Sequence, residues 1–187
     1  MGTVDSVVDQ PVSVLTVECR EPGGPIVRTV TEGVISFERI NYLWEKLSQF
    51  DTLFNDFVRG DFSRFVQHFV KQDAAGNPMP TGLVWDVDDV GIFFLTEMMP
   101  LNSGLAHFVF WDKRFRGREE LCRKMLKMAF DELQFHRIRV EVPLYANFTI
   151  QAVERIGFTL EGRQRQAIKY KGDWFDVNMY SMLAEEM

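Results

Sequence analysis

A basic segment containing one glycine lies where an apolar run gives way to a helical pattern. Arg114, Arg116 and Arg118 alternate along it, and Gly117 stands among them. The first N–H groups of a helix have no partner within the helix and lie at the positive end of its dipole, so such a start can hold a phosphate group. The segment therefore predicts a site for an acidic ligand. The alternative is a structural turn whose charges are solvated.

Three titratable side chains within or at the ends of predicted strands could accept a proton. They are Glu97, His107 and Glu141. A carboxylate or an imidazole that reaches an attacking amine, directly or through water, can act as a general base. Each also has a plain structural interpretation, because strands often expose one face and a lone histidine is commonly a packing residue. Tyr145 and Tyr180 could supply a phenolic proton, although burying the ring is their more ordinary use.

The first part of the chain predicts one strand and then two helices. Apolar residues from Val12 to Val17 nearly alternate and predict a strand that stops at Glu21, within an extension covering residues 1–26. Helical spacing follows from Ile40 to Leu47 and from Phe62 to Val70. Phenylalanines of this region could pack in the core or face a partner. They are Phe50, Phe54, Phe57, Phe62, Phe65 and Phe69.

The rest of the chain predicts a sheet with two connecting helices. Helical patterns run from Leu121 to Leu133 and from Thr149 to Ile156, where Gly157 would end the second helix. Two strands follow, joined by a turn at residues 171–173. Residues 27–187 are therefore expected to form a single α/β domain. Four strands that precede the final two are predicted at residues 83–87, 91–96, 105–111 and 138–142.

This order of elements resembles the GNAT superfamily of acyl-coenzyme A N-acyltransferases over about residues 27–184. The segments Phe108–Leu121 and Asn147–Phe158 carry the resemblance most clearly. The closing segment Trp174–Leu183 is similar to the branch that acetylates protein amino termini and ribosomal proteins. The resemblance implies a mixed, mostly antiparallel sheet of about six to seven strands, flanked by about four helices.

The resemblance also implies how a coenzyme would bind. In that family, a loop of the form Gln/Arg-x-x-Gly-x-Gly/Ala holds the pyrophosphate of acetyl-coenzyme A through its backbone N–H groups. Arg114 and Gly117 match the first two positions, but Glu119 occupies the third, where a small residue lets the backbone approach the phosphates. A carboxylate there favours an empty helix start and repels a bound diphosphate. The expected contacts are Phe110, Trp111, Arg114, Phe115, Arg116, Gly117, Arg118, Glu119 and Asn147.

Two functions fit these residues. The first is transfer of an acetyl group from acetyl-CoA to a primary amine, on a protein amino terminus or a small molecule, between strands 105–111 and 138–142. The second is a GNAT-fold protein that has lost catalysis and serves as a structural or binding subunit, encoded by a bacterium or a phage. Glu119 favours the second function. Val153 also favours it, because many family members have at this position a tyrosine that protonates the departing thiolate. A free strand edge near the carboxyl end also allows a homodimer.

The bulk composition narrows the classes of ligand and location. Hydrophobic residues make up 46% of the chain and the net charge is −6, which is typical of a soluble domain and disfavours nonspecific nucleic-acid binding. The apolar runs fall short of the ~20 residues that cross a bilayer, and no signal peptide is evident, so a cytoplasmic protein is expected. Cys19 and Cys122 lack the spacing of a disulfide framework or a zinc site, so no metal is expected.

Overall fold

The computed structural model describes residues 14–21, 24–33, 37–80, 82–87, 90–99, 101–112 and 116–187. Among these residues the strands are β1 Val14–Glu21, β2 Gly24–Gly33, β3 Val70–Gln72, β4 Pro78–Pro80, β5 Leu83–Val87, β6 Gly91–Met99, β7 Ser103–Phe110, β8 Arg137–Pro143, β9 Thr159–Tyr170 and β10 Asp173–Leu183. The helices are α1 Phe37–Leu47, α2 Phe62–Val66, α3 Arg118–Leu133 and α4 Asn147–Ile156, and a 3-10 turn, Ala184–Glu186, follows β10.

Eight of the described strands form the central sheet, in the order β1-β2-β5-β6-β7-β8-β10-β9. Neighbouring strands are antiparallel, except that β7 and β8 are parallel. The predicted class, an α/β fold with a mixed and mostly antiparallel sheet flanked by four helices, is confirmed. The sheet exceeds the predicted six to seven strands because both β1 and β2 join it, with β2 pairing to β5.

Helices cover the two faces of the sheet unequally. On one face α3 and α4 pack over a large apolar cluster, in which Leu121, Met125 and Leu126 are almost wholly buried. On the other face α1 packs through Ile40 and Leu43, and α2 through Phe65, onto a smaller cluster. The sheet members of this second cluster come from β5, β6 and β7. The corresponding face of β8 and β10 therefore lies outside it.

The second helix is shorter than its sequence pattern predicts. Asp61 begins α2 by accepting a hydrogen bond from the backbone N–H of Arg64 at 3.1 Å, but the helix ends at Val66. Phe69 still enters the core with 3% of its surface exposed, and Val70 starts β3. Apolar residues that follow a helix into the same core imitate a longer helical pattern, which explains the wrong boundary.

Most phenylalanines of the α1–α2 region are packing residues. Phe65 joins Phe54 and Phe69 in edge-to-face contacts over the smaller cluster. Phe57 differs, with 60% of its surface exposed. The core interpretation of these aromatic residues therefore accounts for most of them.

The helices that follow the two parallel strands agree well with the sequence. The pattern from Leu121 to Leu133 lies within α3, and α4 ends at Ile156 as predicted. Gly157 caps α4 with φ of 117°, a left-handed conformation that favours glycine. Within the described residues, no helix combines the length and the apolar character needed to cross a membrane.

Candidate active site

The parallel strands β7 and β8 are joined at one end and separated at the other. Residues 103–105 of β7 pair with residues 137–139 of β8. Beyond these three pairs, β7 continues beside β6 and β8 continues beside β10. No pair joins the continuing halves of β7 and β8, all of which are described. Backbone groups on the two facing edges are therefore available to a ligand or to water.

Helix α3 begins beyond the separated end of β7. Gly117 is its N-cap and is buried, so the cap has no side chain to satisfy the first N–H groups. The first helical bond runs from the N–H of Leu121 to the carbonyl of Gly117, at 2.9 Å. The N–H groups of residues 118–120 precede that bond and have no acceptor within the helix. This end of α3 has the donors and the dipole direction that suit an anion.

The carboxylate of Glu119 is bonded to another helix. Its Oε1 accepts a hydrogen bond from Nε of Arg155, in the last turn of α4, at 2.7 Å. Nearby, Nε of Arg123 donates to the carbonyl of Ile156 at 3.2 Å, and the same guanidinium donates to the carbonyl of Arg155. The start of α3 is thus tied to the end of α4, and a cation of α4 balances the charge of Glu119.

The arginines of the predicted phosphate segment differ in their contacts. Nη2 of Arg118 donates to the backbone carbonyl of Asp112 at 2.9 Å, which ties the start of α3 to the end of β7. Arg116 is exposed. Arg114 and Phe115, two further predicted contacts, lie outside the described residues.

The other predicted coenzyme contacts border the gap from both strands. Phe110 ends β7 and packs against the larger cluster. The N–H of Trp111 donates to the carbonyl of Val90 at 3.0 Å, and its ring meets Tyr42 edge-on. Asn147 is the exposed first residue of α4, after β8. Predicted contacts thus occur beyond the separated ends of both strands.

The three predicted base candidates lie on one face of the sheet at the split. His107 and Glu141 each stand two residues beyond the last pair, Leu105 with Arg139, so both side chains point to the face that carries α1 and α2. Glu97 reaches this place from β6, where its Oε2 accepts from Nη2 of Arg139 at 2.9 Å. The sequence did not reveal this arrangement, because the candidates come from three strands.

The imidazole of His107 is held in its neutral form. It stacks on Phe94 with 4.3 Å between ring centroids, and its Nε2 lies 2.9 Å from Oγ1 of Thr96. Burial, with a smaller contribution from His68, lowers the pKa of His107 to about 4. An imidazole with this pKa is free of its second proton over most of the pH range, but it is a weak base.

The pKa of the Glu141 carboxyl is shifted upward, whereas that of His107 is shifted downward. Partial burial raises its pKa, the negative charge of Glu97 raises it further, and Arg139 lowers it in part. A carboxylate with a raised pKa binds a proton more tightly than an ordinary one. Glu141 is therefore a stronger base than the imidazole of His107.

No phenol replaces the family tyrosine at its position on α4. Val153 stands there and is buried in the larger cluster. Tyr180 lies in the same cluster, and its hydroxyl donates to Oε1 of Glu154 at 3.1 Å and accepts from Nδ2 of Asn178 at 3.2 Å. Burial raises the pKa of Tyr180. It is on the α4 face, opposite the base candidates.

A clamp joins the α1–α2 connection to the β9–β10 turn. The carboxylate of Asp56 accepts hydrogen bonds from the N–H groups of Lys171 and Gly172, at 2.7 and 2.8 Å. The N–H of Asp56 donates to the carbonyl of Lys169 at 2.9 Å. The connection belongs to helices that pack on β5 to β7, whereas the turn belongs to the strands beside β8. The clamp thus links elements from the two sides of the gap.

The remaining candidates for other chemistry are structural. Cys122 is 2% exposed in the larger cluster, and burial raises the pKa of its thiol. Among the described residues, no cluster of three or more His, Cys, Asp or Glu side chains could hold a metal ion.

A split between two parallel strands, followed by a helix start without a capping side chain, defines the class of α/β domain that the sequence resembled. Residues 90–179 match the family model "Acetyltransferase (GNAT) domain". An acetyltransferase (GNAT family) structure from Bacillus anthracis superposes with a TM-score of 0.61 at 21% identity, covering 84% of this chain and 96% of that one. Mutant forms of the spermidine/spermine N-acetyltransferase SpeG from Vibrio cholerae superpose with a TM-score of 0.62 at 16% identity, covering 83% of this chain and 94% of that one.

Two proteins of Bacillus subtilis (strain 168) are similar in sequence. "Putative ribosomal N-acetyltransferase YdaF" is 30% identical over 120 residues, which are 62% of this chain and 65% of that protein. "SPbeta prophage-derived uncharacterized N-acetyltransferase YokL" is 26% identical over 104 residues, which are 54% and 59%. The match thus spans less than two thirds of each relative. The chain therefore has the GNAT fold, and part of its sequence is similar to GNAT acetyltransferases.

Proposed function

We propose that the protein is an N-acetyltransferase that moves an acetyl group from acetyl-CoA to a primary amine. The observation that carries the proposal is the split between β7 and β8, with the start of α3 beyond one separated strand and the start of α4 beyond the other. The match of residues 90–179 to the GNAT acetyltransferase model supports the same function.

The residues around the split fit the chemistry of the coenzyme. The diphosphate would lie at the start of α3, where the N–H groups of residues 118–120 are its donors and Arg116 and Arg118 add positive charge. Arg114, Phe115 and Glu119 belong to the same loop, and Phe110, Trp111 and Asn147 flank it. When bound, acetyl-CoA supplies an acyl group on a good thiolate leaving group.

The chain would contribute proton transfer and polarisation. A bond forms between the amine nitrogen and the thioester carbon, the C–S bond breaks as coenzyme A leaves as the thiolate, and the nitrogen gives up a proton. Glu141 takes this proton, directly or through water, while His107 lines the opposite side of the gap as a neutral group. Backbone N–H groups on the separated edge of β7 would polarise the carbonyl, since oxyanion stabilisation by such donors is commonly a large contribution.

The acceptor would be an amine carried by a protein amino terminus or by a small molecule. YdaF is named for ribosomal acetylation and SpeG for spermidine and spermine acetylation, so both acceptor classes occur among the similar proteins. Because a direct transfer requires the amine in its neutral form, an acceptor site with a carboxylate base suits either class.

Isothermal titration with acetyl-CoA tests the proposal, with coenzyme A as companion ligand. We expect micromolar binding, followed by amine-dependent release of thiol when spermidine and peptides with free amino termini are supplied. The absence of heat and of any thermal-shift response at millimolar ligand would exclude an active coenzyme site.

A second candidate is a binding subunit without catalysis. Val153 in place of a phenol favours it, because the leaving thiolate then lacks an acid on α4. Under this candidate, no amine of the panel releases thiol, whether or not acetyl-CoA binds. A protein partner or a homodimer would then be sought by chromatography and light scattering.

A further inference from the structure

The ion pair between Glu119 and Arg155 bears on the least usual residue of the phosphate segment. Glu119 is the second residue of α3, where the family pattern has a small side chain. We infer that Arg155 is a positioning residue for the coenzyme, which neutralises Glu119 and holds its carboxylate toward α4. This inference rests on the proposed function, because it concerns the same coenzyme site.

The geometry supports a specific role for the pair. A carboxylate in the first turn of a helix ordinarily favours the positive end of its own dipole, where a diphosphate would also bind. In this protein, Oε1 of Glu119 is bonded to Nε of Arg155 at 2.7 Å instead. The bond joins residues 36 positions apart, so it exists only because α3 and α4 are neighbours in the fold.

The local charges explain why the pair matters for an acidic ligand. Glu120 pairs with Lys124 within α3, and Arg118 is held by the carbonyl of Asp112. Of the two carboxylates in the first turn of α3, Glu119 is the one that forms an ion pair with another helix. The relative exposure of Glu119 is 37% and that of Arg155 is 56%, so without Arg155 the carboxylate would lose this ion pair and remain partly exposed beside the helix start.

Arg123 provides a matched control in the same seam. Its guanidinium bonds to the carbonyls of Arg155 and Ile156 and makes the end of α4 part of the α3–α4 contact. It has no ion pair with Glu119 among the described contacts. An Arg123→Ala variant therefore weakens the seam without removing the cation that Glu119 uses.

The test is a double-mutant cycle on coenzyme binding, measured by isothermal titration with coenzyme A alone. We expect Arg155→Ala to weaken binding about fivefold, the size expected of one unbalanced, partly screened carboxylate. Glu119→Gln should bind as well as the wild type or slightly better. The double variant should return to within about twofold of the wild-type affinity, because no charge is left to balance.

Two controls accompany the cycle. Arg155→Lys should retain most of the affinity, and thermal unfolding would show that each variant is folded.

The possible outcomes separate the inference from the function on which it rests. If Arg155→Ala weakens coenzyme binding equally in the wild type and in the Glu119→Gln variant, Arg155 contacts the coenzyme itself. That result overturns a positioning role. Unchanged coenzyme binding by Arg155→Ala also overturns it. The inference is likewise overturned if Arg123→Ala weakens coenzyme binding and Glu119→Gln restores that binding as well as it does in Arg155→Ala. If Glu119→Gln binds coenzyme A and the wild type does not, the coenzyme site is intact but Arg155 does not neutralise Glu119. Absence of binding by every variant would refute the proposed function itself.

Discussion

The two ends of the β7–β8 pair show how one sheet serves both stability and function. At the joined end, residues 103–105 and 137–139 share a ladder, and Gly104 allows Phe135 to lie against the strand. At the separated end, the same strands carry His107 and Glu141 on facing edges. The joined end uses its backbone groups for pairing and its side chains for packing. The separated end leaves its facing backbone edges free of each other, which a ligand site requires.

The largest expected effect is at the separated end. Replacing Glu141 by Gln should lower turnover of the acceptor by about 10²- to 10⁴-fold, because the amine loses its proton acceptor. The free energy of unfolding should change little, since the Glu141 side chain is only partly buried. Steady-state kinetics across pH would show loss of the acidic limb in this variant. An equal loss in Glu97→Gln, or a greater one in His107→Gln, would assign the base elsewhere.

The next effect concerns pH and the neutral imidazole beside the gap. The pKa of His107 is about 4 in the folded protein, below the ordinary value of 6.5. The unfolded chain therefore binds a proton that the folded chain does not, and stability falls as the pH drops from about 6.5 toward 4. His107→Gln should remove at most about 3 kcal/mol of this pH dependence.

Urea unfolding at several pH values measures this effect. Burial also lowers the pKa of His68, so His68→Gln should flatten the curve in the same direction. Curves of His107→Gln and wild type that run parallel between pH 6.5 and 4 would contradict the neutral imidazole.

At the joined end, the expected effect is on stability alone. A Cβ at Gly104 would lie 2.9 Å from Cε2 of Phe135, whose ring is 4% exposed in the larger cluster. Gly104→Val should therefore destabilise the protein by about 1–3 kcal/mol through overpacking. Gly162→Val is the matched control, because nothing lies within 4 Å of its added Cβ. Chemical denaturation would report similar losses for both if packing at Gly104 were unimportant.

The smallest effect is local and concerns the clamp across the gap. Asp56→Ala removes the acceptor of the Lys171 and Gly172 N–H groups. Hydrogen exchange at these two amides should accelerate about tenfold, while amides of β8 keep their protection. Unchanged exchange at both amides would show that the turn holds itself without Asp56.

The sequence could predict those parts of the fold that depend on local pattern. The helices α3 and α4 follow apolar periodicity, and Gly157 ends α4 because its left-handed conformation favours glycine. The pattern failed at α2, since Phe69 and Val70 continue the apolar spacing beyond the helix end. It also predicted too few strands, because whether β1 and β2 join the sheet depends on pairing with a remote strand.

The candidate site divides in the same way. The sequence by itself determined the residue types, including Glu97, His107 and Glu141 as proton acceptors and the basic segment around Gly117 as an anion site. Only the tertiary structure decided that His107 and Glu141 lie on the same face of the sheet at the split, and that Arg155 balances Glu119. The physical reason is distance along the chain. A helix or a turn depends on residues a few positions apart, whereas the split and its ion pairs depend on which distant strands and helices pack together.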